Sequence, residues 1–205
     1  MKTYPIMLNV RGRLAVVVGG GSVGLRKVRS LLDAGAKVRL IAPDIAQNAD
    51  LAGVEVIRRP YRRELLADAM VVFACTADRA ANAKIATDAR AAGALINAAD
   101  QPDDCDFYLP AVVRDEDVVV AIGTGGAAPH LASVLKQQFA ESLPPRIGEF
   151  AALLGVLRQE LKLKLPKPRR SEILMRLADE ETYRTFCAAG PEAVRKKLEE
   201  SLKHQ

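Results

Sequence analysis

The sequence predicts an α/β protein with a parallel sheet in its first half and helices in its last third. Short apolar runs alternate with helical patterns between residues 14 and 98, which is typical of parallel strands joined by right-handed crossovers. After Pro144-Pro145 the sequence is helical and charged. The chain has 205 residues, of which 49% are hydrophobic and 27% charged. This composition excludes a disordered, collagen-like or coiled-coil protein.

Five apolar runs in the first half predict strands, and the first and fourth are expected to be buried. The runs are Leu14–Val18, Val38–Ala42, Val54–Ile57, Met70–Cys75 and Ala94–Ala98. A helix is predicted from the glycine-rich loop to about Ala34, and another from Arg79 to Ala92. Gly35 and Gly93 follow them, and glycine suits the left-handed residue that often ends a helix.

The pattern changes after Asp100. Residues 101–106 form a loop rich in turn formers, and strands are predicted over Phe107–Val113 and Val118–Ile122. A glycine loop at 123–126 then leads into a helix near Pro129 with an apolar stripe that consists of Leu131, Val134, Leu135 and Phe139. Beyond Pro145 we expect helices with breaks at 166–168 and 190–191.

The first glycine-rich loop matches the dinucleotide-binding fingerprint, with Gly19, Gly21 and Gly24 at its three glycine positions. It follows a buried strand and opens a helix, where Ser22 and Val23 would present backbone N–H groups to a pyrophosphate. The alternative is a glycine turn that binds no ligand.

Asp44 lies 20 residues after Gly24, just past the second predicted strand. A carboxylate there can accept hydrogen bonds from ribose hydroxyls and would repel a 2′-phosphate, so the sequence favours NAD over NADP. Pro43 would stiffen the turn against the adenosine. Thr76, just beyond a later strand, would reach the cofactor from the same edge of the sheet.

Composition and charge indicate a cytoplasmic protein. The sequence has no apolar run of the ~20 residues that span a bilayer, and its first residues lack the apolar core of a signal peptide. The three cysteines have no pairing rhythm, as in a reducing cytosol. Most of the net charge of +5 lies in residues 146–205, where bases alternate with acids. This pattern favours solvated helices over a nucleic-acid face, and a basic wall that faces an anionic small molecule is a third reading.

The whole chain resembles the precorrin-2 dehydrogenase/sirohydrochlorin ferrochelatase family, which includes the N-terminal module of siroheme synthases. The blocks that carry the resemblance are Pro5-Ile-Met-Leu8, Gly19-Gly-Gly-Ser-Val-Gly-Leu-Arg-Lys27, Ile41-Ala-Pro-Asp44, Ala74-Cys-Thr-Ala-Asp78, Asn97-Ala-Ala-Asp100, Phe107-Tyr-Leu-Pro-Ala111 and Val120-Ala-Ile-Gly-Thr-Gly-Gly-Ala-Ala-Pro129. The likeness is specific over residues 5–145 and looser in the helical tail.

The resemblance implies NAD-dependent oxidation of precorrin-2 to sirohydrochlorin, and in some members insertion of ferrous iron. It implies a Rossmann domain (residues 1–113), a dimerisation segment (114–145) and a helical C-terminal domain (146–205), assembled as a homodimer. The apolar stripe of the helix near Pro129 is the predicted dimer interface. The chain length suggests that methylation of the tetrapyrrole precursor is performed by another protein.

Asp100 is the predicted catalytic residue. It follows a strand at the carboxyl end, where open α/β sheets place ligands, and the family's essential aspartate falls on it. A carboxylate there could accept the proton that leaves the macrocycle, or pyrrole N–H protons if iron is inserted. The alternative is a turn-forming Asp before Pro102.

Several other polar residues are candidates for substrate or metal binding, and each has a structural alternative. Thr124 falls on a substrate-binding serine of the family, and the backbone N–H groups of Thr124 and Gly125 could hold a substrate carboxylate; a plain turn is an equal reading. The acids Asp103, Asp104 and Asp106 are predicted to be solvated, and no metal site is predicted. His130 could meet a propionate or a metal, and a dimer contact is the favoured reading; His204 is expected to fray.

Two alternatives to the dehydrogenase remain open. A bifunctional enzyme that also inserts ferrous iron would use the same cleft. A non-catalytic NAD-sensing module would need the glycine loop and Asp44, but it gives no reason for Asp100. A nucleic-acid-binding regulator with an NAD sensor ranks lower, because the tail is mixed in charge.

Overall fold

The computed structural model describes residues 3–203, which form two compact units. The first unit spans Tyr4–Leu109 and the second begins at Pro110. The three-part division predicted from the sequence stays a prediction. No helix among the described residues is both long and apolar enough to cross a bilayer.

The first unit contains five parallel strands: β1 (Leu14–Gly20), β2 (Lys37–Ile45), β3 (Val54–Ile57), β4 (Ala69–Ala74) and β5 (Leu95–Ala98). They form one sheet in the order β3-β2-β1-β4-β5. Helices α1 (Ser22–Asp33) and α2 (Arg79–Ala91) connect the strands, with short 3-10 helices at Arg63–Leu66 and Pro102–Asp104. The order reverses direction between β1 and β4, so a crevice opens at their carboxyl ends.

Apolar residues on the two faces of the sheet build two cores. Val17 in β1 packs with Val28 and Leu31 of α1 on one face. Val16, its neighbour in the strand, packs with Ile85 of α2 on the other face. Because successive side chains of a strand point to opposite faces, a continuous apolar run is what a sheet covered on both faces requires. The predicted α/β fold class is confirmed.

Two of the predicted strand boundaries differ from the observed ones by more than two residues. Strand β2 continues past the predicted end at Ala42 to Ile45, because its pairing with β1 resumes at Gly20 and Ile45 after an irregularity. Pro43 lies in that irregular stretch, where the missing N–H of proline breaks no ladder bond. Residues 107–110 are not in a strand, and β6 begins at Ala111, because Phe107 instead packs edge-on against Phe73, with ring centroids 5.6 Å apart.

The second unit begins with an antiparallel hairpin of β6 (Ala111–Asp115) and β7 (Val118–Ile122), against which α3 (Pro129–Ser142) packs. Four helices follow: α4 (Ile147–Lys164), α5 (Lys167–Leu177), α6 (Glu180–Ala189) and α7 (Pro191–Lys203). Their apolar side chains form one core around Phe150, Leu157 and Phe186. The predicted breaks before α5 and α7 are confirmed.

The break between α5 and α6 has no proline or glycine and is missing from the sequence prediction. Asp179 is the N-cap of α6, and its carboxylate accepts the N–H of Thr182 at 2.7 Å. A side-chain cap of this kind stabilises a helix start by ~1 kcal/mol. An Asp followed by two glutamates in the first turn is the sequence signal that could have located this start.

Candidate functional site

The glycine loop lies at the carboxyl end of β1, and two of its glycines are required by close packing. Gly19 has a φ of +118°, and a Cβ there would overlap the carbonyl oxygen of Cys75. A Cβ at Gly24 would overlap the carbonyl oxygen of Gly19 and touch Val17. The first and last fingerprint glycines therefore hold strand, loop and helix together.

Gly21, the middle fingerprint glycine, is required by neither packing nor backbone conformation. It is the N-cap of α1 with φ −78°, and a Cβ there would meet nothing within 4 Å. No side chain caps α1, and its first turn, which holds Ser22 and Val23, contains no acid. An uncapped helix start beside open space leaves backbone N–H groups available to an anion, so the loop fits a dinucleotide pyrophosphate.

Asp44 lies beside this loop on the neighbouring strand. A Cβ at Gly20 would overlap the Asp44 carbonyl oxygen, and the N–H of Ala46 donates to the Gly20 carbonyl at 3.0 Å. Pro43 and the Asp44 side chain are both exposed. An exposed carboxylate one strand away from the helix start suits the ribose of a dinucleotide.

The turn after β4 approaches the glycine loop from the other side. The N–H of Cys75 donates to the Val18 carbonyl at 2.7 Å, and the next residue, Thr76, is half-buried. The Thr76 hydroxyl lies 2.8 Å from Oδ1 of Asn82, which also accepts the Thr76 N–H at 3.1 Å. The Asn82 amide donates back to the Thr76 carbonyl at 3.1 Å.

Sequence reasoning missed Asn82, which is 2% exposed and braces this turn. Asp78 is a second missed residue, and its carboxylate caps α2 by accepting the N–H groups of Ala80 and Ala81 at 2.8 and 3.2 Å. Asp78 ends one of the family blocks, which is a signal that could have located it, whereas Asn82 lies in α2 outside the blocks. The Thr76 hydroxyl is therefore engaged in holding the turn that carries it.

Asp100 follows β5 at the same edge of the sheet. Its side chain is exposed, and its φ of +56° places its backbone in the left-handed region, which Asp tolerates better than most residues. Arg79 at the start of α2 donates to the Asp100 carbonyl at 3.4 Å. Burial raises the pKa of the Cys75 thiol to about 11, with a smaller rise from the negative charge of Asp100.

Gln101 fixes the loop from inside and carries an orphaned atom. The side chain is 7% exposed, and its amide N–H groups donate to the Arg79 carbonyl at 3.2 Å and to Asp104 at 2.9 Å. Its Oε1 is buried and has no hydrogen-bond partner among the described residues. An amide flip cannot satisfy it, because both amide partners are acceptors. A buried carbonyl oxygen without a protein partner is rare, because burial removes its contact with bulk water.

The acidic residues of this loop are mostly engaged in structure. Asp106 accepts Nε of Arg90 at 2.8 Å and the N–H of Ile96 at 3.2 Å, which ties the loop to α2 and β5. Asp104 accepts the Gln101 amide, and Asp103 is exposed. Over residues 3–203, no cluster of three or more His, Cys, Asp or Glu side chains has the arrangement of a metal site.

Lys27, on α1, is a half-buried cation at the end of one of the family blocks, and the sequence predicts no role for it. Its Nζ lies 5.9 Å from the centroid of the Phe73 ring. Burial lowers the pKa of the Lys27 ammonium, and a negative charge on Cys75 would raise it. It forms no ion pair within the described part of the chain.

Thr124 and Gly125 lie in the second unit, in the turn between β7 and α3. The Thr124 hydroxyl accepts the N–H of Ala128 at 3.3 Å, and Gly125 has a φ of +62°. The start of α3 has no side-chain cap, and His130 is exposed in its first turn. His204 lies outside the described residues.

Three comparisons relate this geometry to known proteins. Residues 6–111 match the family model described as "Putative NAD(P)-binding". The siroheme synthase of Methylococcus capsulatus is 38% identical over 173 residues, which cover 82% of this chain and 36% of that protein. The siroheme synthase of Pseudomonas aeruginosa strain LESB58 is 33% identical over 207 residues, which cover 98% of this chain and 44% of that protein. The chain therefore spans less than half the length of these relatives.

A solved structure titled "SirC, precorrin-2 dehydrogenase" has the same fold. It superposes with a TM-score of 0.76, covers 97% of this chain and 100% of its own, and is 23% identical in sequence. The likeness that the sequence blocks predicted along the whole chain is confirmed.

Proposed function

The chain belongs to this NAD(P)-binding family, and we propose that it is an NAD-dependent precorrin-2 dehydrogenase that forms sirohydrochlorin for siroheme. The observation that carries the proposal is the carboxyl edge of the sheet, where an uncapped helix start and the strained Asp100 belong to one compact unit. The relatives named siroheme synthase and the fold of a precorrin-2 dehydrogenase support the same reading.

Gly19, Gly21 and Gly24, with the N–H groups of Ser22 and Val23, would hold the pyrophosphate. Asp44 would accept the ribose hydroxyls, with Pro43 beside the adenosine and Thr76 on the opposite side of the loop. When bound, NAD⁺ supplies a hydride acceptor. A carboxylate at Asp44 disfavours a 2′-phosphate, so the proposed cofactor is NAD.

Asp100 would act as the general base. Forming one more double bond in the macrocycle removes two hydrogens, one leaving as hydride and the other as a proton. The Asp100 carboxylate would accept that proton. Arg79 donates to the Asp100 carbonyl, and Gln101 donates to the Arg79 carbonyl, so the start of α2 holds the backbone that carries the base.

The substrate carries several carboxylates, and the start of α3 offers them a binding element. The N–H groups of Thr124 and Gly125 would hold one of them together with the start of α3, which has no side-chain cap and so favours an anion. The apolar stripe of α3 supports a homodimer. Leu131, Val134 and Phe139 are 50%, 53% and 46% exposed in the single chain.

The test compares the native chain with Asp100→Asn in anaerobic NADH formation from enzymatically generated precorrin-2. Asparagine is the appropriate replacement, because it tolerates the left-handed backbone at this position, whereas alanine would be strained. We expect NADH formation to fall about 100- to 10,000-fold, the usual contribution of a general base, while NAD affinity is unchanged. Asp103→Asn, which removes an exposed acid from the same loop, is the matched control and should keep full activity.

A native chain that binds NAD and forms no NADH would contradict the dehydrogenase and favour the NAD-sensing module. Loss of activity in both variants would contradict the role of Asp100. Ferrous iron added to supplied sirohydrochlorin tests the bifunctional alternative, which the exposed carboxylates of Asp100 and Asp103 support. Iron-dependent loss of the sirohydrochlorin absorption with the native chain, and not with Asp100→Asn given the same sirohydrochlorin, is the result expected for a chelatase.

A further inference from the structure

The second unit carries a groove between α4 and α5 with a volume of about 540 Å³. Three cationic residues, Arg158, Lys167 and Arg170, line this α4–α5 groove together with Leu154, Gly155 and Leu174. No acidic residue lines it. The volume falls within the ~300–1,000 Å³ of small-molecule sites.

The three cations differ from the other arginines of the helical region. Five of those arginines form ion pairs with a carboxylate at 3.1 Å or less: Arg146, Arg169, Arg176, Arg184 and Arg195. Arg158, Lys167 and Arg170 form no ion pair with any residue that the structure describes. Among the arginines of residues 146–203, the two without an ion pair, Arg158 and Arg170, both line this groove.

The start of α5 increases this local excess of positive charge. Lys167 and Arg170 lie in the first turn of α5, which has no acidic residue and no side-chain cap. Cations at a helix N-terminus are unfavourable, because the helix dipole is positive there. A bound anion would remove both the repulsion and the unfavourable interaction with the dipole.

The floor of the groove is apolar and left open by a glycine. Leu154 and Leu174 are half-buried, and Gly155 lies in the middle of the 18-residue helix α4. A Cβ at Gly155 would meet nothing within 4 Å. Glycine in a helix interior is about 0.5–1 kcal/mol less stable than alanine, so packing does not explain this glycine. An open apolar floor beneath three cations fits a ligand with an apolar body and several negative groups.

We propose that the α4–α5 groove binds an edge of a tetrapyrrole polycarboxylate, with its acid side chains on Arg158, Lys167 and Arg170. The choice of a tetrapyrrole rests on the proposed function; the requirement for an apolar polyanion rests on the groove itself. Nucleic acid is disfavoured, because no aromatic side chain lines the groove to stack on a base.

The experiment titrates the full chain, without NAD, with uroporphyrin, a fluorescent macrocycle that bears eight carboxylates and undergoes no dehydrogenation here. The groove variant carries Arg158→Gln, Lys167→Gln and Arg170→Gln. The control variant carries Lys162→Gln, Lys164→Gln and Lys196→Gln, which remove the same charge from exposed lysines outside the groove. We expect uroporphyrin affinity to fall at least tenfold in the groove variant and less than twofold in the control.

A second variant, Gly155→Leu, fills the floor without changing the charge and should also weaken binding at least tenfold. Equal weakening by both triple variants, or no weakening by Gly155→Leu, would overturn the site. Inorganic phosphate and a short DNA duplex are tested as competitors. If either displaces uroporphyrin at a concentration below that of uroporphyrin, the assignment of the ligand as a tetrapyrrole polycarboxylate is wrong. If the native chain binds uroporphyrin in the groove but forms no NADH from precorrin-2, the proposed function is contradicted and this inference is not. If the native chain forms NADH but its uroporphyrin affinity is the same as that of the groove variant, this inference is contradicted and the proposed function is not.

Discussion

At the scale of single residues, the three fingerprint glycines fulfil two different requirements. Gly19 and Gly24 are glycine because a side chain would collide with backbone, and Gly21 is glycine beside open space. The first requirement concerns folding, and the second concerns only what approaches the loop. Substitution with alanine separates the two.

We expect Gly24→Ala to lower the free energy of unfolding by several kcal/mol, because its Cβ would overlap the Gly19 carbonyl and something must shift. The free energy of unfolding of Gly21→Ala should lie within about 1 kcal/mol of the native value. This variant should bind NAD at least tenfold more weakly, because its methyl group enters the space above the helix start. Urea denaturation and calorimetric NAD titration measure the two quantities. Tight NAD binding by Gly21→Ala would show that the cofactor does not approach this glycine.

Asp44 is the residue that should select NAD. We expect Asp44→Asn to weaken NAD binding by about 1.5–3 kcal/mol, the range for hydrogen bonds to a charged group. It should also reduce the preference for NAD over NADP, because the repulsion of a 2′-phosphate disappears. Asp33→Asn, at the far end of α1, is the control. Unchanged ratios of NAD to NADP affinity in Asp44→Asn would contradict the assignment.

At the scale of elements, buried polar side chains tie the helices to the loops around them. The carboxylate of Asp88 in α2 is 8% exposed and accepts the Tyr61 hydroxyl at 2.9 Å and the Lys84 ammonium at 3.0 Å. In the second unit, Asp115 at the end of β6 accepts the N–H of Gly148 at 2.8 Å and so caps α4 from a different element. These bonds decide how each helix seats on its neighbours.

The tie at Asp88 predicts a pH dependence. Burial acts to raise the pKa of this carboxyl, but the hydrogen bonds from Lys84 and Tyr61 lower it below its ordinary value. A lowered pKa contributes stability that is present above the unfolded-state pKa of about 4 and is lost as pH falls through the folded-state pKa. We expect Asp88→Asn to lower the free energy of unfolding by about 1–3 kcal/mol at pH 7, with the difference from the native chain shrinking towards pH 3. Urea denaturation across this range measures it, with the exposed Asp103→Asn as reference. If the difference in free energy of unfolding between Asp88→Asn and the native chain is the same at every pH, the charge of Asp88 does not contribute to stability.

At the scale of the whole molecule, exposed apolar side chains point to assembly. The stripe of α3 presents Leu131, Val134 and Phe139 on one helix in the unit that begins at Pro110. Contiguous exposed apolar residues of this kind are typical of interaction surfaces. The cytoplasmic location stays a prediction.

We expect the native chain to sediment at twice its mass of 22.1 kDa. Leu131→Ser with Val134→Ser should shift it to the single-chain mass, because the interface loses apolar area. Val156→Ser with Leu163→Ser removes comparable exposed apolar area from α4 and should leave the dimer intact. Sedimentation equilibrium distinguishes these outcomes, and a native monomer at micromolar concentration would contradict the dimer.

The sequence by itself determined the alternation of strands and helices, the position of the glycine loop and the acid at Asp44. These features depend on residues that are close along the chain: apolar runs, glycines at fixed spacing and turn formers after each strand. Asp100 was found through its place in a block, and its left-handed backbone and its link to Arg79 were not visible in the pattern.

Which distant residues meet depends on how the elements pack, and a local pattern does not contain that information. The irregular pairing that extends β2 past Pro43, the orphaned Oε1 of Gln101, the cap that Asp115 gives to α4 and the uncompensated cations of the α4–α5 groove all involve separate elements. The physical reason is that hydrogen bonds and charges are satisfied in space. A local pattern states which groups a segment offers, and the packing of the elements decides whether each group finds a partner.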